Sequence, residues 1–117
     1  MKRLLLFLLL FNFLDGINAQ NISCNELYNY VVENYDYEDS MSCFNSSVLA
    51  RAEYYEVDGY GFVVAYIKEY DYDYKGKPYI FCSISSYEWI NFKSEGISNS
   101  WGKAFHKYIR DNTCDCY

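Results

Sequence analysis

Residues 47–69 read SVLARAEYYEVDGYGFVVAYIKE, and this stretch decides the fold. Asp58-Gly59 is a strong signal for a tight hairpin turn, and apolar and aromatic residues flank it on both sides. One strand is predicted from Ser47 to Val57 and a second over residues 61–69. Both alternating sets of side chains in the second strand are apolar, so we expect it in the centre of a sheet.

A third strand is predicted over residues 79–84, where Ile80, Cys82 and Ile84 alternate and are expected to share one face. The three strands together predict an antiparallel meander. Two acidic, tyrosine-containing segments, residues 34–42 and 70–77, are predicted to be loops.

A helix is predicted before the strands. Ser23-Cys24-Asn25-Glu26 has the spacing of a capping box, with Ser at the N-cap and Glu three residues later. The helix should run to about Tyr35. Its apolar positions recur at helical spacing, so we expect one buried face.

Two further helices are predicted after the strands. Ser85 and Glu88 form a second capping box, and Gly96 is expected to end the short helix that follows. The last helix should run from about Asn99 to Arg110. The predicted fold is α+β: an N-terminal helix, a three-stranded antiparallel meander, and two short C-terminal helices on one face of the sheet.

Residues 1–19 have the layout of a cleavable secretory signal. Lys2 and Arg3 precede an apolar run, and the small Ala19 precedes the expected cut. The run is short of the roughly 20 apolar residues that span a bilayer. We therefore predict that residues 20–117 form a single domain, secreted or periplasmic, with no integral membrane segment after cleavage.

The chain is acidic, with a net charge of −6, and loss of the leader makes it more so. Because such a chain repels phosphate backbones, nucleic acid is an unfavourable partner. Its 15 tyrosines suit strands and a small core, and they also suit a recognition surface.

All five cysteines follow the leader, and disulfides are the usual state of cysteine in a small exported domain. Because the number is odd, at least one thiol is left over. The bridge we favour joins Cys24 to Cys114 or to Cys116. Cys82 is the candidate for a buried free thiol, and Cys43 is a further disulfide candidate.

Short motifs from residue 46 onward carry a family resemblance. Tyr79-Ile80-Phe81 is an aromatic-x-aromatic motif on a predicted strand, and Ser100-Trp101-Gly102 is a small-residue segment that precedes Phe105 on the last helix. Over about residues 46–110 this order resembles the KTSC domain, a module of some lysyl-tRNA synthetases that also occurs alone in bacterial proteins.

The resemblance implies a small α+β fold and a binding role, and the family has no established catalytic role to carry over. Phe81 stands where the family usually has Tyr, and the N-terminal helix and the cysteines are additions. The C-terminal phrase GKAFHKYIRDNTCDCY after a secretory leader is also similar to small exported proteins of Bacteroidetes-type bacteria.

Two segments contain residue types that bind metal ions. Asp71 and Asp73 alternate as calcium ligands do, but Lys75 occupies the next ligand position, so a solvated loop is favoured. Cys114-x-Cys116 with His106 offers one close pair and one histidine, fewer than a structural zinc site needs. We predict no metal and no cofactor.

The last predicted helix carries a basic stripe at i, i+3, i+4 and i+7, formed by Lys103, His106, Lys107 and Arg110. Such a stripe is usually a solvated helix face, whose charges favour the helix C-terminus. The alternative is a docking stripe for an anionic partner.

The leading hypothesis is an exported, non-enzymatic interaction module with a protein or other extracytoplasmic partner. Its contacts would be Tyr70, Tyr72 and Tyr74, and the basic stripe is a further candidate surface. One alternative is a small secreted enzyme or toxin that uses His106. Another is a nucleic-acid-binding module of the synthetase-linked kind.

Overall fold

The computed structural model describes residues 22–117, so the predicted signal over residues 1–19 lies outside the described part. The elements in chain order are α1 (Cys24–Asn34), β1 (Tyr37–Ser42), β2 (Leu49–Val57), β3 (Tyr60–Ile67), β4 (Lys77–Cys82), α2 (Ser86–Ser98) and α3 (Trp101–Tyr108). The fold is α+β, as predicted. Its antiparallel sheet has the strand order β1-β2-β3-β4.

The hairpin turn forms where the sequence predicts it. Asp58 and Gly59 have φ angles of 50° and 85°, and Val57 lies opposite Tyr60 in the register. Two positive φ angles suit the twist of the flanking strands. β3 lies between β2 and β4, and its Val63, Val64 and Ala65 are fully buried, so its predicted central place is confirmed.

Within residues 22–117 the sheet has four strands, so the prediction of three was wrong. β1 falls in the segment predicted to be an acidic loop, and it pairs with β2 from Tyr37↔Glu56 to Ser42↔Arg51. Its side chains are exposed or half-buried. Such a polar strand is suited to a sheet edge, where the neighbouring backbone supplies the stabilising hydrogen bonds.

Helices α2 and α3 pack on one face of the sheet, and α1 packs on the other. On the first face, the rings of Tyr54, Trp89, Phe92 and Trp101 follow one another at centroid distances of 5.4, 5.4 and 5.3 Å. The second core is smaller, with six buried residues: Leu27, Val31, Tyr55, Val57, Phe62 and Val64.

Both capping boxes form. Ser23 Oγ accepts from the Glu26 N–H and the Glu26 carboxylate accepts from the Ser23 N–H, each at 3.1 Å. Ser85 and Glu88 make the same reciprocal pair, at 3.1 and 2.9 Å. These contacts satisfy backbone donors that a helix start leaves unpaired.

Gly96 does not end α2, contrary to the prediction. The helix continues to Ser98, and Gly96 is buried inside it. A Cβ atom at this position would collide with the indole ring of Trp101. The glycine therefore serves close packing between α2 and α3 and not termination. Helix α3 begins after the Ser100 cap and ends at Tyr108, two residues before the predicted end.

Ile84 does not share a face with Ile80 and Cys82. Ser83 has a φ of 58° directly after β4 ends, and this left-handed residue breaks the alternation. Ile84 consequently lies in the core beneath α2 and α3, while Ile80 and Cys82 pack against the α1 core.

The structure forms two disulfides, Cys24–Cys116 and Cys82–Cys114. The first is one of the two bridges favoured from the sequence, and it ties the C-terminal tail to α1. The second corrects the assignment of Cys82 as the free thiol. The tail runs back along β4, with the Cys82 N–H donating to Asn112 O at 2.8 Å, and this brings Cys114 to Cys82.

Cys43 is the free cysteine, so its place among the disulfide candidates was wrong. It is buried in the core of the α2 and α3 face, away from the four paired cysteines around α1 and β4. Burial raises the pKa of its thiol to about 12, although the Lys68 charge acts in the opposite direction. Within residues 22–117, no helix has the length and apolar character needed to cross a bilayer.

Candidate functional site

Two loops leave the sheet at the same end. β1 and β3 end where β2 and β4 begin, so residues 43–48 and residues 68–76 lie side by side. The Lys68 N–H donates to Val48 O at 2.8 Å, and Lys68 Nζ donates to Ser46 O at 2.7 Å. We call this region, residues 43–48 with residues 68–76, the loop end.

The longer loop is held by its own aspartate. The carboxylate of Asp73 accepts from the Gly76 N–H at 3.0 Å and from the Glu69 N–H at 3.1 Å, and these bonds lower its pKa. The Asp73 N–H donates to Tyr70 O at 3.1 Å. Because the carboxylate is occupied by the backbone, the loop is a fixed turn, as is typical of Asp in turns.

This fixed turn presents three tyrosines to solvent. Tyr70, Tyr72 and Tyr74 are 65%, 77% and 86% exposed, and Phe44 on the neighbouring loop is 78% exposed. Exposed rings gathered in one region are typical of binding surfaces, because their burial by a partner is favourable. The three tyrosines predicted from the sequence as contact residues thus lie at the loop end. Phe44, which was not predicted from the sequence, is a further exposed ring in the same region.

A groove of about 670 Å³ lies beside this surface, between residues 41–48 and residues 96–103. Its apolar part includes Met41, Phe44, Val48, Ile97 and Trp101. The hydroxyl and amide groups that line it belong to Ser42, Asn45, Ser46, Ser47, Asn99 and Ser100. Lys103 carries the one charge among the described lining residues, so the groove contrasts with the acidic remainder of the chain.

The basic stripe of α3 is exposed but partly neutralised. Lys107 pairs with Glu95 at 2.9 Å, and the Tyr108 hydroxyl donates to the same carboxylate oxygen at 3.0 Å. Just after α3, Arg110 donates to His106 Nδ1 at 2.6 Å. Within residues 22–117, Lys103 and Arg110 have no ion pair, and of these two cations it is Lys103 that lines the groove.

No accessible cysteine thiol is available to His106 within residues 22–117. Four cysteines are in disulfides, and Cys43 is buried with a raised thiol pKa. Residues 22–117 also contain no group of three His, Cys, Asp or Glu side chains placed to hold a metal ion.

The residues of the KTSC-like motif occupy three different places. Phe81 packs edge-on against Phe105 in the core, with ring centroids 5.5 Å apart, while Tyr79 is partly exposed on β4. Ser100 caps α3, and Gly102 lies near Val48 at the groove. Phe81 and Phe105 therefore stabilise the fold, and Ser100 and Gly102 shape the groove.

A buried polar cluster on the α1 side was not predicted from the sequence. Glu53 is 8% exposed and accepts the hydroxyls of Tyr55 and Tyr66, each at 3.0 Å. Arg51 pairs with the same carboxylate at 2.7 Å. The Glu53 carboxylate is thus hydrogen-bonded and paired within the sheet, as a buried charge requires. Arg51, Glu53 and Tyr55 occupy alternate positions along β2, and this alternation is the sequence signal that could have predicted their shared face.

The fold and its surface define a small disulfide-bonded α+β protein with an aromatic loop end. Compared with protein-family models, curated proteins and solved structures, the chain matches none of them. The resemblance to the KTSC domain stays a prediction, and the site is interpreted from its own geometry.

Proposed function

We propose that this chain is an exported, non-enzymatic interaction module that binds an extracytoplasmic partner through its loop end. The observation that carries the proposal is the display of Tyr70, Tyr72 and Tyr74, all strongly exposed, on a loop fixed by Asp73. Aromatic anchors supply most of the binding energy at many interfaces. A loop that is ordered before binding loses less conformational entropy when the partner arrives.

Export is supported by the leader-like residues 1–19 and by the two disulfides, which persist in oxidising compartments. A binding role also agrees with what the KTSC resemblance implies. Three observations argue against an enzyme that uses His106. The imidazole ring is exposed, its Nδ1 atom accepts a hydrogen bond from Arg110, and no thiol nucleophile adjoins it.

The test is capture of partners from the extract and medium of the source cells by tagged residues 20–117 under non-reducing conditions. We expect substitution of Tyr70, Tyr72 and Tyr74 by Ala to reduce capture of the specific partner by about tenfold or more. The matched control replaces Tyr87 and Tyr117, which are 74% and 71% exposed and lie outside the loop end.

A second variant separates ring chemistry from loop order. Asp73→Ala keeps all three tyrosines but removes the bonds to Glu69 and Gly76, so we expect an intermediate loss of capture. The proposal is overturned if the folded triple variant captures the same proteins in the same amounts as wild type.

A further inference from the structure

We propose that the groove beside the tyrosine loop binds an acidic saccharide chain, with a sugar carboxylate placed at Lys103. The proposal rests on the proposed function in that it assigns a ligand class to the same end of the molecule. Three features of the groove carry it: its polar lining, its apolar platform and its charge.

The polar lining is suited to a ligand rich in hydroxyls. The side-chain amides of Asn45 and Asn99 make no hydrogen bond with any other described residue, and each offers both a donor and an acceptor. Ser46 Oγ accepts from the Leu49 N–H at 3.0 Å, which leaves its own proton free to donate. A polyol can donate to and accept from such groups at several positions at once.

The apolar platform is suited to the C–H face of a sugar ring. Phe44 is 78% exposed and Ile97 is 67% exposed, and both line the groove. A pyranose combines one apolar face with a rim of hydroxyls, so it matches a ring platform bordered by amides. Ligand sites typically combine an apolar lining with a few polar groups that fix orientation, in volumes of roughly 300–1,000 Å³.

The charge of the groove favours an anion. The chain has 16 acidic residues, yet no Asp or Glu is among the described residues that line the groove. Lys93 and Lys107 are held in ion pairs with Asp39 and Glu95, whereas Lys103 has no such partner in residues 22–117. A single cation among hydroxyls and amides fits a uronate better than a polyphosphate, which needs several cations.

The test is calorimetric titration of oxidised residues 20–117 with acidic hexasaccharides: oligogalacturonate, oligomannuronate and hyaluronan. Methyl-esterified oligogalacturonate is the matched neutral probe, since it keeps the rings and removes the charge. Hexaglutamate and hexathymidylate are anions without a pyranose chain. We expect one or more of the acidic hexasaccharides to bind more tightly than the ester and than both other anions.

The variants assign binding to the groove. We expect Phe44→Ala and Asn99→Ala each to weaken saccharide binding by about tenfold, and Lys103→Gln to abolish the preference for the acid over the ester. Ile90→Ala and Asn29→Ala are the controls, since these exposed residues lie outside the groove and should leave binding unchanged.

The proposal is overturned if none of the three acidic hexasaccharides binds, if hexaglutamate or hexathymidylate binds as tightly, or if the groove variants bind like wild type. Its failure is distinguishable from failure of the proposed function. Absence of saccharide binding, together with partner capture that is lost in the tyrosine variant but kept in Phe44→Ala and Lys103→Gln, would remove the saccharide and leave the interaction module standing.

Discussion

The two faces of the sheet are stabilised in different ways. The face beneath α2 and α3 has a large core with an aromatic stack from Tyr54 to Trp101. The face beneath α1 has a smaller core, and both disulfides lie beside it. Where burial is limited, covalent links restrict the unfolded chain instead, as is common in small exported domains.

The difference also bears on function. The groove forms at the junction of α2 and α3, so the larger core positions it. The tyrosine loop is fixed locally, by Asp73 and by the contacts of Lys68. Perturbing the α1 face should therefore affect stability while leaving the loop end in place.

The largest effect should come from the aromatic core. Phe92 is fully buried between Trp89 and Trp101, so Phe92→Ala should lower the free energy of unfolding by about 3–5 kcal/mol. Denaturant titration measures it. The control is Ile90→Ala on the exposed side of the same helix, where we expect a change within about 0.5 kcal/mol. Equal losses in the two variants would contradict the assigned packing.

Removing the Cys24–Cys116 bridge should come next. The double substitution Cys24→Ser/Cys116→Ser should lower the free energy of unfolding by about 2–5 kcal/mol, because the bridge spans 92 residues of sequence. The double substitution Cys82→Ser/Cys114→Ser removes the bridge whose cysteines are separated by 32 in sequence. Its loss of unfolding free energy should be about 1 kcal/mol smaller. The near-ultraviolet signal of the aromatic stack should persist in both, and its loss would show that the two faces are not independent.

A single methyl group should distinguish the two helical glycines. Gly96→Ala should destabilise by about 1–3 kcal/mol, because the added Cβ would collide with Trp101. Gly102→Ala is the matched change, since its Cβ would be 3.4 Å from the nearest atom, Val48 Cγ2. There we expect no loss, because alanine favours the helix over glycine. Thermal unfolding compares the two, and a stabilised Gly96→Ala would refute the close packing.

Asp39 links the edge strand to the larger face. It accepts from Lys93 Nζ at 2.6 Å and Trp89 Nε1 at 2.9 Å. Burial acts to raise the pKa of its carboxyl, but the bonds and charge of Lys93 and the bond from Trp89 outweigh it, and the pKa is lowered. Asp39→Asn should therefore cost about 1–2 kcal/mol at neutral pH.

The sign of the pH effect follows from the lowered pKa of Asp39. Its contribution is complete above about pH 4, the ordinary range of an Asp carboxyl, and is lost as the pH falls through the lower folded value. The stability difference between wild type and Asp39→Asn should therefore shrink in acid. A difference that stays constant from pH 7 to strongly acid solution would contradict this account, and urea titration at each pH measures it.

The smallest perturbation is a labelling experiment on Cys43. Its thiol is buried and its pKa is raised to about 12, so iodoacetamide should not modify the native, non-reduced protein. Denaturation without reductant should expose this one thiol among residues 22–117, and mass spectrometry counts the adducts. Rapid labelling of the native protein would place Cys43 outside the larger core.

Features set by neighbouring residues could be predicted from the sequence. The capping boxes at Ser23 and Ser85 depend on contacts three residues apart, and the turn at Asp58-Gly59 depends on two φ angles. The central place of β3 followed from apolar side chains on both of its faces. The exposure of the loop tyrosines agreed with their acidic surroundings, which are costly to bury.

Tertiary structure decided the rest, because those features depend on residues far apart in the chain. β1 is a strand because the backbone of β2 lies beside it, and Gly96 is required by Trp101 from another helix. The tail runs back along β4, and this path selects Cys114 as the partner of Cys82 and leaves Cys43 free. The groove likewise exists only where two distant segments meet, which local sequence signals do not encode.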